Sequence, residues 1–292
     1  MTGSLPPITD SPPPSDLGKR AVVGVALIVL ALTALWVGGS WFGALAALAA
    51  LLLFAEWSVM HRFSRAMRRL GLVVIGLACA GAMLGLSTYS VLLLAGAAAV
   101  ALLAALLGIG SRKSLAFALL YAGLPGIALI WLRAQPDGLG VTLWLLVVVW
   151  ATDILAYFSG RTFGGPKIAP RISPKKTWAG LIGGMLGAAV AGYVIAALWF
   201  APQVTAIAAI QSATAPAFWT LLNPLSVALG SALLAVLSQA GDFYESWLKR
   251  KAGVKDSGTL LPGHGGVMDR LDGLVPVAVL VAGIAWARGG LW

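Results

Sequence analysis

Long apolar stretches recur along the chain, at roughly 21–37, 41–60, 70–86, 90–108, 115–132, 139–159, 179–201, 227–247 and 271–287. Each is near the ~20 residues that cross a ~30 Å hydrocarbon layer at 1.5 Å per residue. The pattern predicts an all-α polytopic membrane protein of about nine transmembrane helices. Polar residues fall mainly in the connections. One connection, 202–226, is itself apolar and is broken by Pro202, Pro216 and Pro224. It is expected on the membrane surface or as a short re-entrant piece. Residues 1–18 hold five prolines and no apolar run, so a disordered cytoplasmic tail is expected there. Behind it, 19–138 would form an N-terminal helical region. Residues 139–292 would form a C-terminal region that carries two polar loops, 160–178 and 248–270.

Composition agrees with the pattern. Of 292 residues, 60% are apolar and 10% charged, and the mean hydropathy is +0.92. Soluble domains average about 45–50% apolar and about 25% charged, which excludes an ordinary soluble enzyme, a disordered chain and a disulfide scaffold. Cys79 is the single cysteine and lies in an apolar run, where a thiol behaves as a small hydrophobe. Net charge is +10. In a soluble protein that would point to nucleic acid. Here it reads as positive inner loops, anionic lipid or a phosphorylated substrate, with no nucleic-acid partner. With the N-terminus cytoplasmic and nine spans, 18 of the 20 basic residues fall on inner segments, and only Arg133 and Arg288 fall outside. That alternation sets both count and orientation.

The ten acidic residues are few enough to place individually. Asp10 and Asp16 lie in the tail and Asp137 in an outer loop. Glu56, near the inner end of the second span, reads as a surface pair with Arg62. The other six are Asp153, Asp242, Glu245, Asp256, Asp269 and Asp272, all at inner helix ends or in the last inner loops. Acids inside a span cost about 2.5–3.5 kcal/mol on insertion scales. Asp153, about 9 Å deep at helical rise, is therefore either satisfied by Arg161 or a neighbouring helix, or forms a wall of a polar cavity. Asp242 and Glu245 stand at i, i+3, as do Asp269 and Asp272, each pair on one helix face. Carboxylates grouped this way either suit Mg²⁺ or neutralise Lys249, Arg250 and Arg270. The run Ser173-Pro174-Lys175-Lys176-Thr177 puts cations and hydroxyls before a span, as a phosphate cradle or as positive-inside anchoring. His264, in a glycine-rich stretch, reads as a phosphate donor before a base.

The run from Ser246 to Asp272 resembles a family signature. It contains Ser246-x-x-Lys249-Arg250, Lys255-Asp256-x-Gly258, Pro262-x-His264-Gly265-Gly266 and Asp269-Arg270-x-Asp272. With Asp153 to Gly164 and Ile172 to Thr177, it is similar to the phosphatidate cytidylyltransferases, or CDP-diacylglycerol synthases. The likeness is strong over 150–275, and Ala179 departs from it where many members carry Glu or Gln. The resemblance implies the reaction of CTP with phosphatidate to CDP-diacylglycerol and pyrophosphate, in an all-helical dimer. It also implies Mg²⁺ on Asp242 and Asp269, with a monovalent cation such as K⁺ sharing that site.

The nucleophile is then the lipid's own phosphate, and the protein's task is to bring two polyanions together. Lys249, Arg250 and Asp272 join the two metal ligands in the expected catalytic set. Arg161, Ser173, Lys175, Lys176, Thr177, Lys255, Arg270 and His264 are expected to bind substrate, with Asp153, Glu245 and Asp256 as walls and orienters. The expected location is a bacterial inner membrane with the site facing the cytoplasm. A prenyl-lipid cytidylyltransferase, a lipid kinase and a transporter of a phosphorylated solute stay open as alternatives.

Overall fold

The computed structural model describes residues 17–107, 113–200, 223–258, 260 and 265–289. The tail expected over 1–18 (all but its last two residues), the 202–226 connection up to residue 222, and His264 lie outside the described residues. The helices are α1 (Leu17–Val37), α2 (Gly39–Met60), α3 (Arg65–Met83), α4 (Ser87–Leu106), α5 (Lys113–Ala134), α6 (Gly138–Phe163) and α7 (Trp178–Ile195). A π-turn over Ala196–Phe200 extends α7, and α8 (Pro224–Ala252), α9 (Met268–Leu271) and α10 (Leu274–Ala287) follow. Among the described residues, seven helices are long and apolar enough to cross a membrane, and Val22–Val37 and Leu274–Ala287 are shorter apolar helices. In hydrocarbon every backbone N–H and C=O must be satisfied within the segment, which is why apolar sequence here becomes helix.

Side-chain chemistry marks the ends. The Ser64 hydroxyl accepts from the Met67 N–H and Asn223 Oδ1 from the Ser226 N–H, so both residues cap the helices they precede. Gly253 closes α8 in the left-handed region at φ +75°. Two helices run further than hydropathy indicates. α6 continues to Phe163 and α8 to Ala252, so Arg161, Lys249 and Arg250 stand on helices rather than in loops. At 29 residues, α8 is about 43 Å long and outreaches a ~30 Å hydrocarbon core. Its last turn carries Lys249, Arg250 and Lys251, where cations favour the helix dipole.

The loop after α6 is an antiparallel two-stranded ribbon, β1 (Lys167–Ala169) with β2 (Ser173–Thr177), in register Lys167 to Thr177 and Ala169 to Ser173. A polar loop over 160–178 was expected there. Pro166, Pro170 and Pro174 disguise the strands in the sequence, yet a two-stranded edge tolerates proline.

Two apolar cores share α5. Ile75, Leu94, Phe54 and Leu119 belong to the first, built on α2 to α5. Leu132, Leu145, Ala188, Ala235 and Val277 belong to the second, built on α5 to α8 and α10. The α6–α7 seam is lined by glycines. A Cβ on Gly180 would stand 2.9 Å from the Ala156 carbonyl oxygen, and one on Gly184 would stand 3.0 Å from that of Thr152. Small residues let membrane helices approach this closely. Gly184→Val is expected to cost about 1–3 kcal/mol by overpacking, because a backbone oxygen cannot rotate away. Gly76→Val, where nothing lies within 4 Å, should leave stability unchanged. Thermal unfolding of both variants in detergent checks this pair.

Candidate active site

Apart from Arg288, which follows α10, the charged residues of the C-terminal half gather at one end of the bundle. α8 presents Asp242, Glu245 and Lys249, three and four residues apart and hence along one stripe. β2 brings Lys176 to that stripe. The Lys176 ammonium pairs with the Asp242 carboxylate, donates to Gln239 Oε1 at 2.9 Å and lies 4.9 Å from the Phe243 ring centroid. The Ser246 hydroxyl donates to the second Asp242 oxygen at 3.3 Å.

Lys249 joins α8 to α9. Its ammonium donates to Glu245 Oε2 at 3.0 Å and to Asp269 Oδ1 at 2.6 Å. All three side chains are largely out of solvent, with 13%, 1% and 8% of their surface exposed. Asp269 also accepts from the Ser257 N–H at 3.1 Å and the Gly266 N–H at 2.8 Å, and its Oδ2 lies 3.1 Å from the Ser257 hydroxyl. Burial alone would raise its pKa. The Lys249 and Gly266 hydrogen bonds outweigh that and hold its carboxyl below the ordinary range. Gly265 sits against this carboxylate at φ +80°, where a Cβ would stand 2.7 Å from Asp269 Oδ2. Asp272, between α9 and α10, accepts from the Gly273 N–H. Burial, then the nearby Asp242 charge, pushes it up to about 7.

The other expected residues are placed less centrally. Asp153 is exposed on α6, where the charges of Asp242, Lys176 and Arg270 reach it. Arg161 donates to the Tyr157 hydroxyl at 2.9 Å. Lys175, Arg250, Lys255, Asp256 and Arg270 are exposed, and Ser173 is half-buried in β2. Thr177 is buried and caps α7, its hydroxyl accepting from the Gly180 N–H at 3.1 Å. Glu56 does not form the expected surface pair with Arg62. The last turn of α2 faces inward, and Glu56 is 9% exposed and accepts from the Ser257 hydroxyl, the Val267 N–H and the Met268 N–H, each at 2.8 Å. Gln239 also escaped the sequence reading, although it lies three residues before Asp242 on the same face.

Among the described residues, no group of three or more His, Cys, Asp or Glu side chains could hold a metal ion as it stands. The donors present are hard oxygens. Glu245 Oε1 is buried with no hydrogen-bond partner. Mg²⁺ takes one or two carboxylates and completes its octahedron with water and phosphate oxygens. The donor set fits that ion and no soft metal.

Beside the cluster runs an apolar groove of about 620 Å³ between α5, α8 and α10, walled by Leu120, Leu124, Leu237, Val279 and Leu280, among others. Gly241 and Tyr244 also line it, and a Cβ on Gly241 would run into the Asp272 carbonyl oxygen, so the groove wall at Gly241 packs against Asp272, just before α10. Tyr121 lines it too, its hydroxyl buried and without a partner.

Residues 18–287 match a family model described as the cytidylyltransferase family. The chain is 39% identical over 276 residues to the phosphatidate cytidylyltransferase of Brucella abortus (strain 2308), across 91% of this chain and 92% of that protein. The corresponding protein of Brucella suis biovar 1 is equally similar. The Pseudomonas aeruginosa phosphatidate cytidylyltransferase is 38% identical over 161 residues, 55% of this chain and 53% of that one.

Lys249→Met would leave Glu245 and Asp269 facing each other without their shared cation. Breaking a buried pair in this way costs about 3–5 kcal/mol. The wild-type Asp269 contribution is present above the ordinary carboxylate range and is lost as pH falls below it. Without Lys249 the carboxyl titrates higher, and protonation relieves part of the cost. The gap in thermal midpoint between variant and wild type, measured with chelator, should be widest at pH 8 and narrower at pH 5.

Proposed function

The chain belongs to the cytidylyltransferase family, and from that premise we propose that it transfers the cytidylyl group of CTP to phosphatidate in phospholipid biosynthesis. An oxygen of the lipid phosphate forms a bond to the α-phosphorus of CTP. The bond from that phosphorus to the β-phosphate bridging oxygen breaks, and CDP-diacylglycerol and pyrophosphate result. No Ser, Cys or His nucleophile is needed. The observation that carries the reading is the lysine–carboxylate cluster of β2, α8 and α9 lying next to an apolar groove.

Lys176 and Lys249 are held by Asp242 and Asp269. Incoming phosphates compete with those carboxylates for the two ammonium groups, and each exchange uncovers a carboxylate beside the reacting phosphates. Asp242 and Asp269 would hold Mg²⁺, with Glu245 and Asp272 beside them, and K⁺ is proposed as a monovalent companion. When bound, the divalent ion screens the repulsion between the two phosphates and stabilises charge on the leaving pyrophosphate. Lys175, Arg250, Lys255 and Arg270 are exposed cations that supply further phosphate contacts. Arg161, bonded to Tyr157, adds one more. The proposal includes a homodimer in a bacterial inner membrane with the site on the cytoplasmic face. Support for that side is the gathering of basic residues at this end.

The acyl chains of the lipid occupy the groove between α5, α8 and α10. Supporting this are its apolar walls and its shared use of α8 with the polar stripe. A large residue in the groove should therefore act on one substrate alone. Leu124→Trp is expected to raise KM for long-chain phosphatidate about tenfold, some 1.4 kcal/mol, with KM for CTP unchanged. A short-chain phosphatidate should feel much less of the change. Equal KM effects on both substrates would place the tails elsewhere.

Following phosphorus tests the reaction itself. With purified protein, phosphatidate, Mg²⁺ and CTP labelled at one position at a time, the α-label should enter the lipid. The β- and γ-labels should leave together as pyrophosphate, and chelation should stop both. γ-Label in the lipid would mean a kinase, and no label in phosphatidate but label in a prenyl phosphate would mean a different acceptor.

A further inference from the structure

Glu56 belongs to α2, more than 200 positions before the segment it touches. At the inner end of α2 its buried carboxylate meets three donors of the last inner loop. Oε1 accepts from the Val267 N–H, and Oε2 accepts from the Met268 N–H and the Ser257 hydroxyl, each at 2.8 Å. Val267 and Met268 are the cap and first residue of α9. The first N–H groups of a helix have no partner within it, and a helix of four residues has little else to hold it. A negative charge placed there also favours the helix dipole.

The same loop is gripped from its other side by Asp269. Its carboxylate accepts from the Ser257 N–H and the Gly266 N–H. The Ser257 hydroxyl lies between the two carboxylates, 2.8 Å from Glu56 and 3.1 Å from Asp269, and its single proton takes the shorter contact, to Glu56. Space is closed around them. A Cβ on Gly266 would run into Ser257 Oγ and stand 2.5 Å from Glu56 Oε2, and one on Gly258 would stand 3.0 Å from Glu56 Oε1. A buried carboxylate is costly unless its acceptors are filled. At this position an apolar side chain would avoid that cost but could not orient three donors.

We infer that Glu56 is a positioning residue: it fixes the start of α9 and the Ser257 hydroxyl, and through them aims the Asp269 carboxylate at Lys249. It touches no substrate in this role. The inference rests on the proposed reaction only for its kinetic consequence. The first group of spans thereby takes part in the site of the last ones.

Glu56→Gln is the discriminating change. It keeps the shape but replaces one oxygen by an NH₂. In one orientation that NH₂ faces the Val267 N–H, and in the other the Met268 N–H. Ser257 can turn its hydroxyl to accept, but a backbone N–H cannot. Hydrogen exchange of the detergent-solubilised full chain should show faster exchange in 257–258 and 265–269, with α4 and α6 as protected as in the wild type. kcat should fall about 10–100-fold, the range for a catalytic group displaced by about an ångström, with KM for CTP little changed. Because Glu56 acts through the shared hydroxyl, Glu56→Gln with Ser257→Ala should lose less than the product of the two single losses. Gly266→Ala, which pushes a methyl between Ser257 and Glu56, should reproduce the pattern and stands in if Glu56→Gln does not accumulate.

Wild-type kcat in Glu56→Gln, multiplicative losses in the double variant, or exchange raised equally throughout the chain would each overturn the inference. The exchange measurement needs no substrate. It therefore tests the clamp on its own, and a wild type that makes no CDP-diacylglycerol would count against the reaction and not against Glu56.

Discussion

One buried cation organises the candidate site. Lys249 stands between Glu245 and Asp269 and so joins α8 to α9. Without the ammonium the two carboxylates would repel each other across a space from which most water is excluded. With it, α8 and α9 are pinned within hydrogen-bond distance. The rest follows from this contact. Asp269 must be approached closely by backbone N–H groups, which requires Gly265 at positive φ and a bare Gly266. The charge of Lys176 answers Asp242 one turn earlier on α8. The cluster is thus a set of short opposite-charge contacts, held where an isolated charge of either sign would be expensive.

Much of the architecture could be read from hydropathy because the bilayer leaves few choices. An apolar stretch of about 20 residues has to become a helix when no water is present to satisfy its backbone, and the stretches coincide with α1 to α8 and α10 apart from their ends. The ends differ where hydropathy stops being the controlling term. Residues 249–251 are charged, yet Ser246 to Ala252 contains no helix breaker before Gly253, so α8 continues through them. The ribbon over 167–177 was hidden for the opposite reason. Three prolines suggest a turn, and pairing of β1 with β2 depends on partners that local sequence does not specify.

The site was legible in kind but only partly in detail. The spacing of Asp242, Glu245 and Lys249 fixes a common face on any helix, and that face is the one the structure uses. Which acid meets which base is a tertiary fact. Nothing near Lys176 in the sequence says that its partner is Asp242, 66 positions away. Glu56 shows the limit most clearly. Beside Arg62 it looked like half of a surface ion pair, because sequence proximity is the only proximity a sequence displays. Its donors Ser257, Val267 and Met268 come from the far end of the chain. Thr177 carries a second role that the sequence did not display: its hydroxyl precedes α7 and caps the Gly180 N–H as an acceptor, and its own proton is not used by that bond.

A site built of paired charges behaves differently from one built of bare cations. Two substrates that both carry phosphate would bind tightly to unpaired lysines, and they would also bind product tightly. Lysines already satisfied by Asp242, Glu245 and Asp269 would make each phosphate contact an exchange, so that only the difference between carboxylate and phosphate as a partner would enter the binding free energy. In the proposed reaction the exchange would also uncover carboxylate oxygens at the moment phosphates arrive, and hard oxygens of both kinds are the ligands a small divalent cation takes. Such an arrangement works only if the carboxylates stay in place when their lysines leave. Asp269 meets that condition through the Ser257 and Gly266 donors, which remain when Lys249 turns away. Those donors are in turn fixed by Glu56. The chain of support therefore runs from an apolar span near the beginning of the protein to a charged contact near its end, and each link is a hydrogen bond out of competing water.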